Sequence, residues 1–200
     1  MEITNIVFDF GGVLVDWNPV YLYEDVFDDK KEMENFLSQI CTEKWNLEQD
    51  KGRTLAEGTE ILQKQHPEYH AQIRLFYEQW ETMLKSEIQE NTKLLYKLKG
   101  RYKLYGLTNW SAETFPIALR RFDFFNLFDG IVVSGEEKMI KPEKEIFHLL
   151  LSRFNLIAKN SLFIDDNPHN IRAANDIGFH TIHFRAGANL EEQLIQLGIM

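Results

Sequence analysis

Five short apolar runs, at residues 3–10, 102–107, 130–133, 161–164 and 180–184, constrain this chain most. Each is rich in β-branched and aromatic residues and shows little polar alternation, as in strands covered on both faces of a parallel sheet. Parallel neighbours need crossover connections, and helical patterns follow the later runs. Residues 110–122 read as one helix, and 143–154 as another, with Pro142 placed where a first turn accepts proline. Residues 168–177 have Asn167 as N-cap and Gly178 as stop, while Asn189 and Glu192 open a last helix that Gly198 closes. The alternation predicts an α/β fold built on a doubly wound, Rossmann-like parallel sheet.

The stretch 18–90 breaks this rhythm and contains no credible strand. Residues 31–40 read as a helix, and Thr54-Leu55-Ala56-Glu57 is a capping box that opens another. From Pro67 onward, Ile73, Phe76, Tyr77, Trp80, Met83 and Leu84 fall on one face of an amphipathic helix. The expected organisation is a small all-α cap domain, 18–90, inserted into an α/β core made of 1–17 and 91–200.

Composition narrows the partners. Lys and Arg total 22 against 31 Asp and Glu, a net charge of −9, which disfavours nucleic acid or an anionic membrane as the main partner. The single cysteine, Cys41, cannot form an internal disulfide or a structural zinc site. The opening residues lack the basic region of a signal peptide, and no apolar run approaches the ~18 residues that cross a bilayer. A cytoplasmic protein, monomer or homodimer, is expected.

Ligands of open α/β sheets bind beyond the carboxyl ends of the strands. Those ends carry Asp9 with Gly11-Gly12, then Thr108-Asn109, then a loop reaching Lys141, then Asp165-Asp166. Two like charges about 4 Å apart cost on the order of 4 kcal/mol at an effective dielectric near 20. Three carboxylates therefore need protonation or a divalent cation, and an all-oxygen set without His or Cys points to Mg²⁺. Gly-rich turn amides, a hydroxyl, helix N-termini and one lysine suit a phosphoryl group. Asp9 is then the candidate nucleophile.

Asp9-Phe10-Gly11-Gly12-Val13-Leu14, Leu107-Thr108-Asn109, Lys141-Pro142 and Asp165-Asp166-Asn167 together resemble the four ordered motifs of the haloacid-dehalogenase superfamily. The insertion falls where that family carries its helical C1 cap, so the likeness spans essentially the whole chain. Its phosphatases similar to the N-terminal domain of soluble epoxide hydrolase and to bacterial α-glucose-1-phosphatase look most alike. The resemblance implies a Mg²⁺-dependent phosphatase of a small phosphorylated metabolite, such as a sugar phosphate. Asp9 would form an aspartyl-phosphate. Asp9, Asp166 and the backbone carbonyl of Gly11 would ligate Mg²⁺, with Asp165 close behind through water. Thr108 and Lys141 would hold phosphoryl oxygens, Asn109 and the amides near Gly11-Gly12 would complete the cradle, and Asn170 would brace the Asp-Asp loop.

One departure matters. Most phosphatases of this superfamily carry a second Asp two residues after the nucleophile as general acid/base, and here that position is Gly11. Three readings stand open: a substitute donor, either Asp16 or a cap residue; a substrate with an easier leaving group; or a weak enzyme. Two other functions compete, a metal-independent 2-haloacid dehalogenase-type hydrolase and a catalytically weak interaction protein on the same scaffold. The acidic pair Asp165-Asp166 argues against the first of these. His180 and His183 read as packing or hydrogen-bonded residues, and His169 as a loop residue beside the pair. Trp17, Trp45 and Trp110 read as packing, with sugar stacking the second reading for Trp110. Lys51 and Arg53 read as an exposed face, with an anionic substrate tail as the alternative.

Overall fold

The computed structural model describes residues 2–200. The first part of the chain runs β1 (Asn5–Phe8), β2 (Val15–Trp17), α1 (Val20–Tyr23), α2 (Lys30–Gln39), α3 (Glu43–Asp50), α4 (Leu55–Gln65), α5 (His70–Glu78), α6 (Trp80–Met83) and β3 (Leu84–Glu87). It continues through α7 (Gln89–Leu98), β4 (Lys103–Thr108), α8 (Phe115–Arg121), β5 (Gly130–Val133), α9 (Ser134–Glu137) and α10 (Lys144–Arg153). The last elements are β6 (Ser161–Asp165), α11 (Pro168–Ile177), β7 (His180–His183) and α12 (Leu190–Gln196).

The main sheet has the order β5-β4-β1-β6-β7, and every pairing in it is parallel. The chain winds outward from β1 through β4 and β5, then crosses back to add β6 and β7 on the other side. Successive side chains point to opposite faces. Ile6, Phe8, Leu104, Leu162 and Ile164 join one apolar cluster with Leu94, Leu98, Leu190 and Leu194 of α7 and α12. Val7, Leu107 and Phe163 join a second with Ile146, Phe147, Leu150 and Ala174 of α10 and α11. Each fully buried side chain of this size contributes roughly 1.5–3 kcal/mol. The first cluster continues past the sheet into the helical region, through Phe36, Ile73 and Phe76. Close packing explains one glycine in β4: a Cβ on Gly106 would collide with the ring of Phe10.

Four local expectations need correction. The stretch 18–90 does contain a strand: β3 pairs antiparallel with β2, Val15 with Glu87 and Asp16 with Ser86. Such a ladder is satisfied between segments remote in sequence, so no local signal announces it. The apolar stripe of 73–84 is not one helix; it breaks at Gln79, and Leu84 leaves it to pair with Trp17. Residues 110–111 lie in no regular element and 112–114 form a turn, so the helix expected over 110–122 covers only Phe115–Arg121. Pro142 lies ahead of α10 in a cis Lys141–Pro142 peptide, not in its first turn. The helix α7 carried no recognised start signal and was not expected; its N-cap residue, Ile88, has no capping side chain.

The other caps form as read. Thr54 Oγ1 accepts from Glu57 N at 3.2 Å, Asn167 Oδ1 from His169 N at 2.9 Å, and Asn189 Oδ1 from Glu192 N at 3.2 Å. Among the described residues, no helix is long and apolar enough to cross a membrane.

Candidate active site

The four strand-end motifs converge. Asp9 follows β1 and still joins the sheet, its N–H donating to Ile164 O at 2.8 Å. The residue is only 8% exposed and its Oδ1 accepts from Phe10 N at 2.7 Å. Lys141, 2% exposed, places Nζ 2.9 Å from Asp9 Oδ1 and 2.7 Å from Asp165 Oδ2. Asp165 is fully buried and further satisfied by Asn167 N at 2.8 Å and by Asn170 Nδ2 at 3.1 Å from both oxygens. One buried cation thus bridges two carboxylates, the arrangement that keeps such charges tolerable inside a protein.

Neighbouring motifs are tied to the same frame. Asn109 and Lys141 form a reciprocal clasp: Asn109 Nδ2 donates to Lys141 O at 2.9 Å, and Lys141 N donates to Asn109 Oδ1 at 2.8 Å. Thr108, the last residue of β4, is buried. The Gly11-Gly12 turn curls back on itself, with Gly12 N–H donating to Val15 O at 3.0 Å. Gly12 has φ +68°, and a Cβ there would run into the Asp166 carboxylate. Its glycine is therefore a requirement of both conformation and space, and its amide is already engaged within the turn.

Charge does not balance among these groups. Asp9, Asp165 and Asp166 each offer an oxygen within 4.8 Å of the others, with Lys141 as the bridging cation. Burial pushes the Asp9 carboxyl up to about 7, Asp165 and Asp166 add to the push, and Lys141 opposes it. Burial and Asp165 likewise raise Asp166. Burial works against the Lys141 ammonium, but Asp165 and Asp9 outweigh it and hold its pKa above the usual lysine range. Excess negative charge focused on one all-oxygen cluster fits a hard divalent cation such as Mg²⁺.

Of the other expected residues, His183 touches the cluster at Asp166, and the rest are held by partners outside it. Asp16 lies in β2, and the phenol of Tyr21 reaches both its oxygens, at 3.1 and 2.9 Å. His183 Nε2 donates to Asp166 O at 2.9 Å, and His180 Nε2 to Lys159 O at 3.1 Å. Lys51 pairs with Glu143 at 2.5 Å, joining the helical region to the start of α10. Arg53 donates to Gln49 Oε1 at 2.6 Å, and Trp45 Nε1 to Gly58 O at 3.1 Å.

A cavity of about 90 Å³ opens beside the cluster. Gly11, Asn109 and Trp110 line it from the sheet side; Asn46, Asp50 and Tyr77 line it from the helices. Trp17 and Trp80 complete its aromatic wall, Trp80 lying 5.7 Å from Trp110 between ring centroids. The indole nitrogen of Trp17 is buried without a partner, a state that costs about 1–3 kcal/mol and that a polar ligand atom would relieve. The sequence does not single out Asp50, and it takes Trp17 and Trp110 as packing, with sugar stacking the second reading for Trp110. Asp50 sits between Asn46 and Lys51 in a polar stretch, and its partners Ser111 and Ser134 lie far along the chain.

Comparison with known proteins gives the same picture. The family model described as haloacid dehalogenase-like hydrolase matches residues 6–184. A sesquiterpene phosphatase of Aspergillus oryzae is 29% identical, covering 88% of this chain and 87% of its own. A phosphorylated carbohydrates phosphatase of Thermotoga maritima is 25% identical, over 89% and 83% of the two chains. The solved magnesium complex of a HAD family enzyme from Bacteroides thetaiotaomicron superimposes with a TM-score of 0.79 at 24% identity, over 97% and 99%. With strand order, motif placement and family model agreeing, this chain belongs to the haloacid dehalogenase-like hydrolases.

Proposed function

We propose that the protein is a Mg²⁺-dependent phosphatase of a small phosphorylated metabolite, such as a sugar phosphate, working through an aspartyl-phosphate on Asp9. The observation that carries this reading is the buried Asp9–Lys141–Asp165 bridge at the strand ends, with Asp166 beside it. Two relatives named as phosphatases support the reaction class. Asp9, Asp166 and the backbone carbonyl of Gly11 would hold the cation, with Asp165 behind them through water because its oxygens already serve Lys141, Asn167 and Asn170. When bound, the cation supplies charge neutralisation at the phosphoryl oxygens and lets a carboxylate approach a phosphate dianion.

The chain's own groups do the remainder. Lys141 and Thr108 hold phosphoryl oxygens in line with Asp9, and Asn109 keeps Lys141 in place through its two backbone bonds. An Asp9 oxygen bonds phosphorus as the bond to the substrate oxygen breaks; water then cleaves the acyl phosphate and returns Asp9 to its carboxylate. Covalent catalysis of this kind replaces one difficult step by two easier ones. Asn170 braces the Asp165 carboxylate. The helical cap, 18–90, covers the site and limits access of bulk water. Asp16, held by Tyr21, serves the β2–β3 entrance better than proton transfer.

Release of inorganic phosphate from a panel of metabolites, with Mg²⁺ and with EDTA, tests the proposal. Activity that survives Asp9→Asn would overturn it. Chloride released from 2-chloropropionate without metal would favour the dehalogenase reading, and no turnover of any substrate would favour the interaction-protein reading.

A further inference from the structure

An alcohol leaving group needs a proton, and the residue two places after Asp9, Gly11, has none to give. We infer that Asp50, carried to the site on the last turn of α3, is the carboxyl that transfers this proton. The inference rests on the phosphatase reading above.

Asp50 is the one acidic side chain lining the cavity that also contains Gly11 and Asn109. Its place relative to the sheet is secured by contacts across the two parts of the molecule. Ser134 Oγ donates to the Asp50 carbonyl and accepts from Trp110 N at 2.9 Å, so the end of α3, the loop after β4 and the start of α9 meet at one hydroxyl. One residue later Lys51 is paired with Glu143, and Gly52 rests so near Gly135 that a Cβ would stand 3.2 Å from its carbonyl oxygen. A carboxyl held this way can act on a substrate bound at the strand ends without a loop having to order first.

The surroundings favour a proton carrier. Asn46 Nδ2 donates to Asp50 Oδ2 at 3.1 Å, and the backbone N–H of Ser111 also faces the carboxyl. From α5, Tyr77 faces it, its hydroxyl donating to Asn46 Oδ1 at 2.9 Å and accepting from Gln49 at 2.7 Å. The cations on the same segment, Lys51 and Arg53, are occupied by Glu143 and Gln49. Trp80 and Trp110 supply apolar wall. Burial pushes Asp50 up to about 7, against the Ser111 N–H. The negative end of the α3 dipole acts in the same sense. Trp17, with its unpartnered indole N–H, offers a donor to the same bound alcohol.

In the first step, the Asp9–phosphorus bond forms, the phosphorus–oxygen bond of the substrate breaks, and the Asp50 proton goes to the departing oxygen. In the second, Asp50 takes a proton from the water that attacks phosphorus, and Asp9 leaves as carboxylate. Asp50 ends protonated, as it began. A position for this group on the cap explains how Gly11 is tolerated: proton transfer is available only when the helices lie over the sheet.

The test compares glycerol 3-phosphate, a poor leaving group, with p-nitrophenyl phosphate, a good one, in wild type and Asp50→Asn. The amide keeps an acceptor for Asn46, and a thermal melt checks the fold. On glycerol 3-phosphate, Asp50→Asn is expected to lose about 10²–10⁴-fold in kcat. On p-nitrophenyl phosphate it should give a burst of one p-nitrophenol per enzyme and then turn over slowly, because only the second step lacks its base. A Cβ at Gly11 meets nothing within 4 Å, so Gly11→Asp added to Asp50→Asn should restore glycerol 3-phosphate turnover. Equal losses on both substrates without a burst, or no loss, would overturn the inference while leaving the phosphatase reading intact. Should Asp50→Asn not fold, the wild-type pH profile decides. A fall in kcat/KM above about pH 7 for glycerol 3-phosphate but not for p-nitrophenyl phosphate supports Asp50, and identical profiles overturn it. Wild type without Asp9-dependent phosphate release removes both proposals.

Discussion

Lys141 Nζ stands 2.7 Å from Asp165 Oδ2, and neither side chain reaches solvent. Removing one partner of such a pair leaves the other charge buried and uncompensated, at a cost of about 3–5 kcal/mol. Lys141→Met is expected to lose that much in urea unfolding at pH 8. The deficit should shrink as pH falls toward 5, because Asp9, raised to about 7 by burial, can then take up a proton. A deficit independent of pH would show that the loss is one of packing alone.

Asp9 is raised to about 7 in the folded chain by burial, with Asp165 and Asp166 adding to the effect. A carboxyl with a higher pKa folded than unfolded binds more protons in the folded state. The cation-free protein should therefore gain stability as pH falls from about 8 toward 5. A bound divalent cation favours the ionised form and reverses that trend. Calorimetric titration with Mg²⁺ in two buffers of different ionisation enthalpy should detect proton release, larger at pH 6 than at pH 8. Equal heats in both buffers would contradict the assignment of Asp9 to the cation.

Two glycines near the site should respond oppositely to alanine. A Cβ on Gly135 would press on the backbone of Ala112 and stand 2.8 Å from Trp110 O, while one on Gly11 meets nothing. Gly135→Ala is expected to cost about 1–3 kcal/mol, as overpacking against rigid backbone does. Gly11→Ala should leave the melting temperature within a few degrees of wild type. Thermal melts of the two variants check both statements.

Asp16 is held by Tyr21, whose ring in turn lies 4.4 Å under the Lys85 ammonium. Asp16→Asn and Tyr21→Phe should each cost about 0.5–1.5 kcal/mol, the usual worth of one hydrogen bond. If Asp16 has only this bracing role, its loss scales kcat on glycerol 3-phosphate and p-nitrophenyl phosphate by the same factor. A selective loss on the poorer leaving group would return it to the list of proton donors.

The strand-end residues were legible before any coordinates because the parallel sheet leaves little choice. A strand buried on both faces is an apolar run, and its first polar residues must lie at its carboxyl end. Asp9, Thr108, Asn109, Asp165 and Asp166 announce themselves in this way, Lys141 is legible only through the constellation of the four motifs, and the helix caps at Thr54, Asn167 and Asn189 are read from residues close along the chain. The β2–β3 pair was not legible, since Asp16 and Ser86 acquire meaning only by hydrogen-bonding each other's strands. The break at Gln79 was masked because Trp80, Met83 and Leu84 keep the apolar spacing after the helix has ended.

Asp50 shows where local reading stops. Lys51 and Arg53 drew notice for their charge, yet they are spent on Glu143 and Gln49, while the acid beside them faces the cavity. The sequence by itself determined the α/β sheet, the chemistry gathered at its edge and the missing acid at Gly11, because strand periodicity and motif order are properties of neighbours along the chain. Only the tertiary structure decided which helical residue closes over that edge. Burial, charge balance and the approach of Ser111 and Ser134 to Asp50 depend on segments brought together through space.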